Sequence, residues 1–144
     1  MNGSSRGAAL RLLGLMLGVF LIFEGLGKVP WLFDSAILGA RLQEWHGTAS
    51  PFSRWYLETV AMPGVPVFAR MVTLGELLAG AALLFGFWTR LSAGLAALMV
   101  LNFHVASGIL FTYGYLTNGY GLPVMGGLLA LAIGGSRLPL SLSD

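Results

Sequence analysis

Two side chains in this sequence have chemistry that an apolar surrounding makes costly, Glu76 and His104. Glu76 sits near the middle of Met71–Arg90, MVTLGELLAGAALLFGFWTR, a stretch of membrane length that ends in an aromatic and a cation. A carboxylate at that depth costs roughly 2.5–3.5 kcal/mol even on the lenient insertion scale. It must therefore be protonated, paired, or turned toward protein or water. Either it serves a ligand or a proton, or it belongs to a structural ion pair. His104 lies in a later apolar stretch and could bond a ligand carbonyl such as that of a quinone, carry a proton, ligate a metal or haem, or be packed and hydrogen-bonded. The polar residues that could join them are Glu24, Lys28, Arg70, Asn102 and Tyr113. Glu24 and Lys28, four apart with the acid first, are placed to neutralise each other on one helix face. Arg70 either extends its charge toward the membrane surface or pairs with a carboxylate.

On an α-helix Glu76 shares a stripe with Thr73, Ala79 and Gly80, and His104 shares one with Ala97, Ser107 and Gly108. Both stripes are small, so both side chains are expected to face a neighbouring helix. Ranked by depth, Glu24, Lys28 and Arg70 fall in the outer half, Glu76 and Asn102 near the middle, and His104 slightly further out. No ionisable residue is placed deep in the inner half. One outward-opening polar pocket would account for this, with Glu76 at its floor and a tyrosine-rich turn as a lid.

The composition says what positions these groups. The chain of 144 residues is 56% hydrophobic and 10% charged, where soluble domains carry about 25% charged residues. A chain this short still exposes much of its surface, so a bilayer is the economical explanation. The 21 glycines suit close helix approach in lipid. The eight Lys and Arg residues are dispersed, with no basic run for nucleic acid. Cysteine is absent, which removes disulfides and thiolate ligands, and no His, Asp and Glu cluster has the spacing of a metal site.

Four spans are expected within a single domain, residues 1–144. The first runs from about Ala8 to Val29, a retained span rather than a cleaved leader, with Gly14 and Gly18 as a close-packing pair. Pro30-Trp31 ends it. A long loop follows to about Gly64, where Ser50-Pro51 reads as a cap and first helical residue. There PFSRWYLETVA forms a short helix that either lies in the membrane interface or packs on the spans, with Arg54 and Glu58 paired and His46 solvated. Span two is Pro66–Trp88. The 46 residues Leu91–Ser136 contain no Asp, Glu, Lys or Arg and must be divided by the turn TYGYLTNGYG, Thr112–Gly121. That leaves spans of Leu91–Phe111 and Gly121–Leu138, the latter with Gly126, Ala130 and Gly134 along one edge. Both termini then share a side, which Arg6 and Arg11 at the start of the first span assign to the cytoplasm.

Gly75-Glu76-Leu77 through Gly80, then Leu83-Leu84-Phe85-Gly86-Phe87-Trp88-Thr89-Arg90, resembles the characteristic segment of the DoxX/DoxD-like membrane proteins. Gly25 and Lys28 after the first span are similar to that family's N-terminal pattern. Pro51-Phe52, Trp55-Tyr56-Leu57-Glu58 and Asn102-Phe103 resemble its thiosulfate:quinone oxidoreductase small-subunit branch. The resemblance runs from about Arg11 to Leu131. It implies an all-α integral membrane four-helix bundle in a bacterial or archaeal cytoplasmic membrane, with a short interfacial helix in the loop after helix one. For the named branch it implies a subunit that docks partner proteins and passes electrons to quinone. Glu76 and His104 would then be catalytic, with Glu24, Lys28, Arg70, Asn102 and Tyr113 holding the ring. The competing expectation is a non-catalytic accessory subunit of a larger respiratory or photosynthetic membrane complex.

Overall fold

A computed structural model describes residues 3–143. The described residues form helices and connecting turns, without a β-strand. Three helices are long and apolar enough to cross a membrane: α1 (Gly3–Gly27), and two more that follow the loop. Between them come α2 (Pro30–Phe33), α3 (Ala36–Thr48), α4 (Pro51–Tyr56) and a π-helical turn at Leu57–Ala61. Then follow α5 (Val65–Phe85), α6 (Thr89–Ser107), the short α7 (Tyr113–Thr117) and α8 (Leu122–Gly134). At 1.5 Å per residue, α1, α5 and α6 measure about 37, 32 and 28 Å against a hydrocarbon thickness of about 30 Å, and α8 only about 20 Å.

The buried face of α1 comprises Arg11, Gly14, Leu17, Gly18, Leu21 and Gly25, and that of α5 comprises Ala69, Val72, Thr73, Glu76, Gly80 and Leu83. These stripes are small, and the helices meet nearly backbone to backbone. A Cβ on Gly18 would lie 2.8 Å from the Gly80 carbonyl, and one on Gly80 would lie 2.8 Å from the Ile22 nitrogen. Van der Waals contact supplies the association, since lipid tails are as apolar as leucine. Helix α5 also packs on α6, α6 on α8 and α8 on α1, around Leu17, Leu21, Leu83, Leu128 and Leu131. Gly86, with φ of 67°, closes α5 by the left-handed turn that glycine takes at little cost.

Several boundaries differ from the sequence expectation. The third long helix stops at Ser107, because Gly108 turns left-handed with φ of 69°. The last apolar helix spans 13 residues and ends at Gly134. On it Gly126 and Ala130 face outward, Gly134 is exposed but turned toward Leu10 of α1, and Val124, Leu128 and Leu131 face the core. The tyrosine turn contains α7, capped by the Thr112 side chain accepting from the Tyr115 amide. The long loop is more ordered than expected: Leu38 and Leu42 of α3 build a second core with Leu57, Ala61, Ala69 and Ala106. Ser50 caps α4 as the sequence indicates, accepting from the Ser53 amide. The anticipated Arg54–Glu58 pair gives way to a contact of 2.7 Å between Glu58 and His46. The reason is the π-helical turn, whose widening at Leu57 takes Glu58 out of phase with the preceding helical turn.

The N-terminal end of α1, the α5–α6 turn and the C-terminal segment share one end of the molecule. The buried Arg11 guanidinium donates to the carbonyls of Leu83 and Leu84 at 2.9 and 2.7 Å, in the last turn of α5. The Leu142 and Ser143 amides donate to Phe85 and Gly86, and Arg90 Nε to Ala132 at the end of α8.

Candidate functional site

At the opposite end, between the two cores, lies a cavity of about 260 Å³. Its lower wall comes from α1, α5 and α6, and its cover from α2, α3 and the approach to α8. Lys28 stands just beyond α1 and is held there through its own backbone, since Thr73 Oγ1 lies 3.1 Å from its carbonyl and 2.8 Å from that of Ala69. Its ammonium meets Glu24 Oε2 at 2.9 Å and both oxygens of Glu76 at 3.0 and 2.8 Å. The Glu24 carbonyl is a fourth acceptor at 3.2 Å, so all three ammonium protons have partners. Thus Glu24–Lys28 is not the self-contained pair the spacing suggested. Lys28 bridges α1 to α5, between a side chain 39% exposed (Glu24) and one 7% exposed (Glu76).

Aromatic rings form most of the remaining wall. Lys28 Nζ lies 5.9 Å from the Trp31 ring and 5.8 Å from that of Phe103. Trp45 meets Phe103 edge to face, and Phe20 tilts on Tyr120 at 5.6 Å. His104, buried, presents its ring edge-on to Tyr115 at 5.0 Å, and its Nδ1 has no hydrogen-bond partner among the described residues. A buried polar atom left unpaired is costly, and this one belongs to a side chain that lines the cavity. Chemically, the space offers flat apolar faces for a ring, a buried imidazole in its wall, and a charged cluster that reaches from the floor to a half-exposed carboxylate.

The cavity thus unites Glu24, Lys28, Glu76 and His104. Three other candidates lie elsewhere. Arg70 is exposed on α5 and donates to the Pro66 carbonyl at 2.6 Å. Asn102 turns to the other side of α6, where Tyr56 donates its hydroxyl to Asn102 Oδ1 beside a small separate cavity. Tyr56 lies outside the long helices, and burial holds its phenol above the usual 10.0, only partly offset by the Asn102 bond. Tyr113 is 81% exposed, and Tyr120 from the same turn lines the cavity in its place. Sequence reading also missed Trp31, Arg41 and Trp45 as lining residues. Their signal was there: Leu38, Leu42 and Trp45 recur at helical spacing and would have announced α3.

The family model for DoxX matches residues 9–107. The chain belongs to the DoxX family. Neither a curated protein nor a solved structure matches it. The DoxX match runs from α1 to the end of α6 and so includes Glu24, Lys28, Glu76 and His104, leaving Tyr120 and α8 outside. With three apolar helices of membrane length, this DoxX protein is a multi-pass membrane protein in contact with lipid. Within the matched residues, the stretch 75–90 has structural duties throughout. Gly80 admits α1, Glu76 holds Lys28, the Leu83 and Leu84 carbonyls hold Arg11, Gly86 turns the chain, and Arg90 ties down α8.

Proposed function

We propose that this DoxX protein is the quinone-facing membrane subunit of an oxidoreductase, with the ring held in the cavity beneath α3. The observation that carries this reading is the combination of an aromatic-walled space with the unpaired, buried Nδ1 of His104. A cavity of about 260 Å³ lies just below the roughly 300–1,000 Å³ of pockets that enclose whole drug-sized ligands, which suits a single ring. A quinone, when bound, supplies two-electron, two-proton chemistry. For its part, His104 offers a nitrogen to a ring carbonyl once its imidazole turns toward the cavity, and the aromatic walls give the ring apolar faces. Glu76, ionised against Lys28 at rest, takes up and passes on a proton in turnover, and Lys28 and Glu24 connect it to the cavity mouth. Electrons would come from a partner subunit, as the thiosulfate:quinone branch of the family implies.

In this reading α8, with its flanking residues, makes a fourth crossing and completes a four-helix bundle. The α4 helix lies in the interface, its Phe52 and Trp55 rings exposed and stacked at 6.0 Å. The termini face the cytoplasm of a bacterial or archaeal cell and the cavity opens outward. The test is quinone reduction by membranes containing the protein and its partners. Glu76→Gln and His104→Ala are each expected to lower turnover by roughly 10²–10⁴-fold, the usual reach of a proton-transfer group, with insertion intact. Unchanged turnover in both variants would sink the reading.

One observation favours an accessory role instead. The small residues Gly126 and Ala130 are turned outward, as is Tyr113, where another subunit could dock. There the same substitutions would change assembly and leave chemistry alone. A chain that purifies without stable partners counts against it.

A further inference from the structure

A second space lies one layer of side chains away from the cavity. It is an apolar groove of about 310 Å³ between α6 and α8, lined among others by Gly94, Leu98, Leu101, Phe111, Tyr115 and Leu129. Leu98, Phe111 and Leu129 are 64%, 79% and 47% exposed, so the groove opens on the surface that meets lipid. The wall between the two spaces includes Tyr115, which lines the groove and is 3% exposed, against His104, which lines the cavity, rings 5.0 Å apart. Neighbouring residues alternate between the two spaces. Val100 and Val124 line the cavity, and Leu101 and Met125 line the groove. Above the groove the chain is not a long helix. It runs from Gly108 through Phe111, at φ of 69° and 64°, into the five-residue α7 that carries Tyr115. A short helix hung between turns is the least firmly held part of this wall.

We propose that the α6–α8 groove holds the apolar tail of a membrane-borne ligand whose ring occupies the cavity, the tail passing at Tyr115. This rests on the ring-binding reading above and adds to it a route: entry from the side, out of the bilayer. Adjacency to the cavity, across the ring contact of Tyr115 with His104, is what selects this occupant over an unrelated lipid chain; the Tyr115 ring swings aside for the tail to pass. The groove has no hydrogen-bonding group apart from the Tyr115 ring's hydroxyl among its lining side chains, as a hydrocarbon tail requires.

The test uses the protein in nanodiscs, with Trp55→Phe and Trp88→Phe in place so that fluorescence reports from Trp31 and Trp45 at the cavity. Two probes are titrated: a benzoquinone without a side chain, and the same ring bearing a decyl chain. A buried chain should tighten binding by on the order of tenfold or more. Gly94→Leu and Leu129→Phe fill the groove from α6 and α8. Each should remove most of that advantage, while affinity for the bare ring stays within about twofold, since neither residue touches the cavity. Partitioning into the bilayer is common to all variants and cancels in the comparison. The proposal is overturned if the decyl ring shows no advantage, or if the advantage survives both substitutions while the bare ring still binds. If neither ring quenches, the ring-binding reading itself fails and takes the groove with it.

Discussion

Glu76 is tolerable in mid-helix because Lys28 reaches it from the end of α1. The ammonium stands 2.8 Å from one carboxylate oxygen and 3.0 Å from the other, and Glu24 and two aromatic faces complete its surroundings. Removing one partner of a buried pair leaves an uncompensated charge, at a cost of roughly 3–5 kcal/mol, whereas removing both with apolar replacements is often nearly neutral. Lys28→Met is therefore expected to destabilise the protein by about that amount, and Lys28→Met with Glu76→Met to restore most of it. Thermal unfolding in detergent measures both. A double variant no more stable than Lys28→Met would mean that Glu76 is not the charge Lys28 neutralises. From the sequence one could see that Glu76 needed a partner and that Lys28 stood four residues from Glu24. The two facts belong to helices 48 positions apart, and only their packing joins them.

At the scale of elements, glycine position matters more than glycine number. Gly18 and Gly80 lie where α1 and α5 touch, so Gly18→Val or Gly80→Val forces the helices apart, with an expected loss of about 1–3 kcal/mol or more. Gly126 has nothing within 4 Å of where its Cβ would be. Gly126→Ala should leave stability within about 0.5 kcal/mol. Denaturant or thermal titration of the three variants separates the cases, and equal effects would contradict the α1–α5 contact. The pairing of Gly14 with Gly18 was readable from four-residue spacing. The pattern Gly126, Ala130, Gly134 has the same spacing, yet Gly126 and Ala130 face outward, because spacing reports a shared face and not what lies opposite it. Helix α3 shows the reverse: its Leu38, Leu42 and Trp45 spacing was present within a segment read as a long loop, and burial with Ala61 and Ala69 in the second core is what holds it.

For the whole molecule, the arrangement of ends is the most direct test of the membrane reading. The absence of cysteine permits single reporters at Ser4, Thr48 and Ser136. With four crossings and cytoplasmic termini, Thr48→Cys reacts with an impermeant maleimide in intact cells, and Ser4→Cys and Ser136→Cys react only after permeabilisation. Labelling of Ser4 and Ser136 from opposite sides would rule out the fourth crossing; labelling of both in intact cells, with Thr48 reacting only after permeabilisation, would reverse the orientation. The two ends of the protein differ in chemistry as well. One is tied by Arg11, Arg90 and the C-terminal amides to helix-end carbonyls, and the other holds the aromatic cavity and its charges.

Composition and run length by themselves determined that this is an all-helical membrane chain, and the Gly75–Arg90 segment placed it near its family. Both follow from the bilayer, which demands apolar runs of set length and leaves a costly acid conspicuous within them. What depended on the tertiary structure was which of the candidate residues line the cavity. Arg70, Asn102 and Tyr113 have the same chemical types as the residues that line the cavity, and depth along a helix could not separate them from Glu24, Lys28 and Glu76. The direction each side chain takes depends on helix rotation, on the π-helical turn, and on how α3 folds over the ends of α1 and α6. Those are settled by contacts between distant segments, and no spacing within one helix encodes them. Met71–Arg90 announced that a carboxylate was buried; the packing of α1 against α5 supplied its partner.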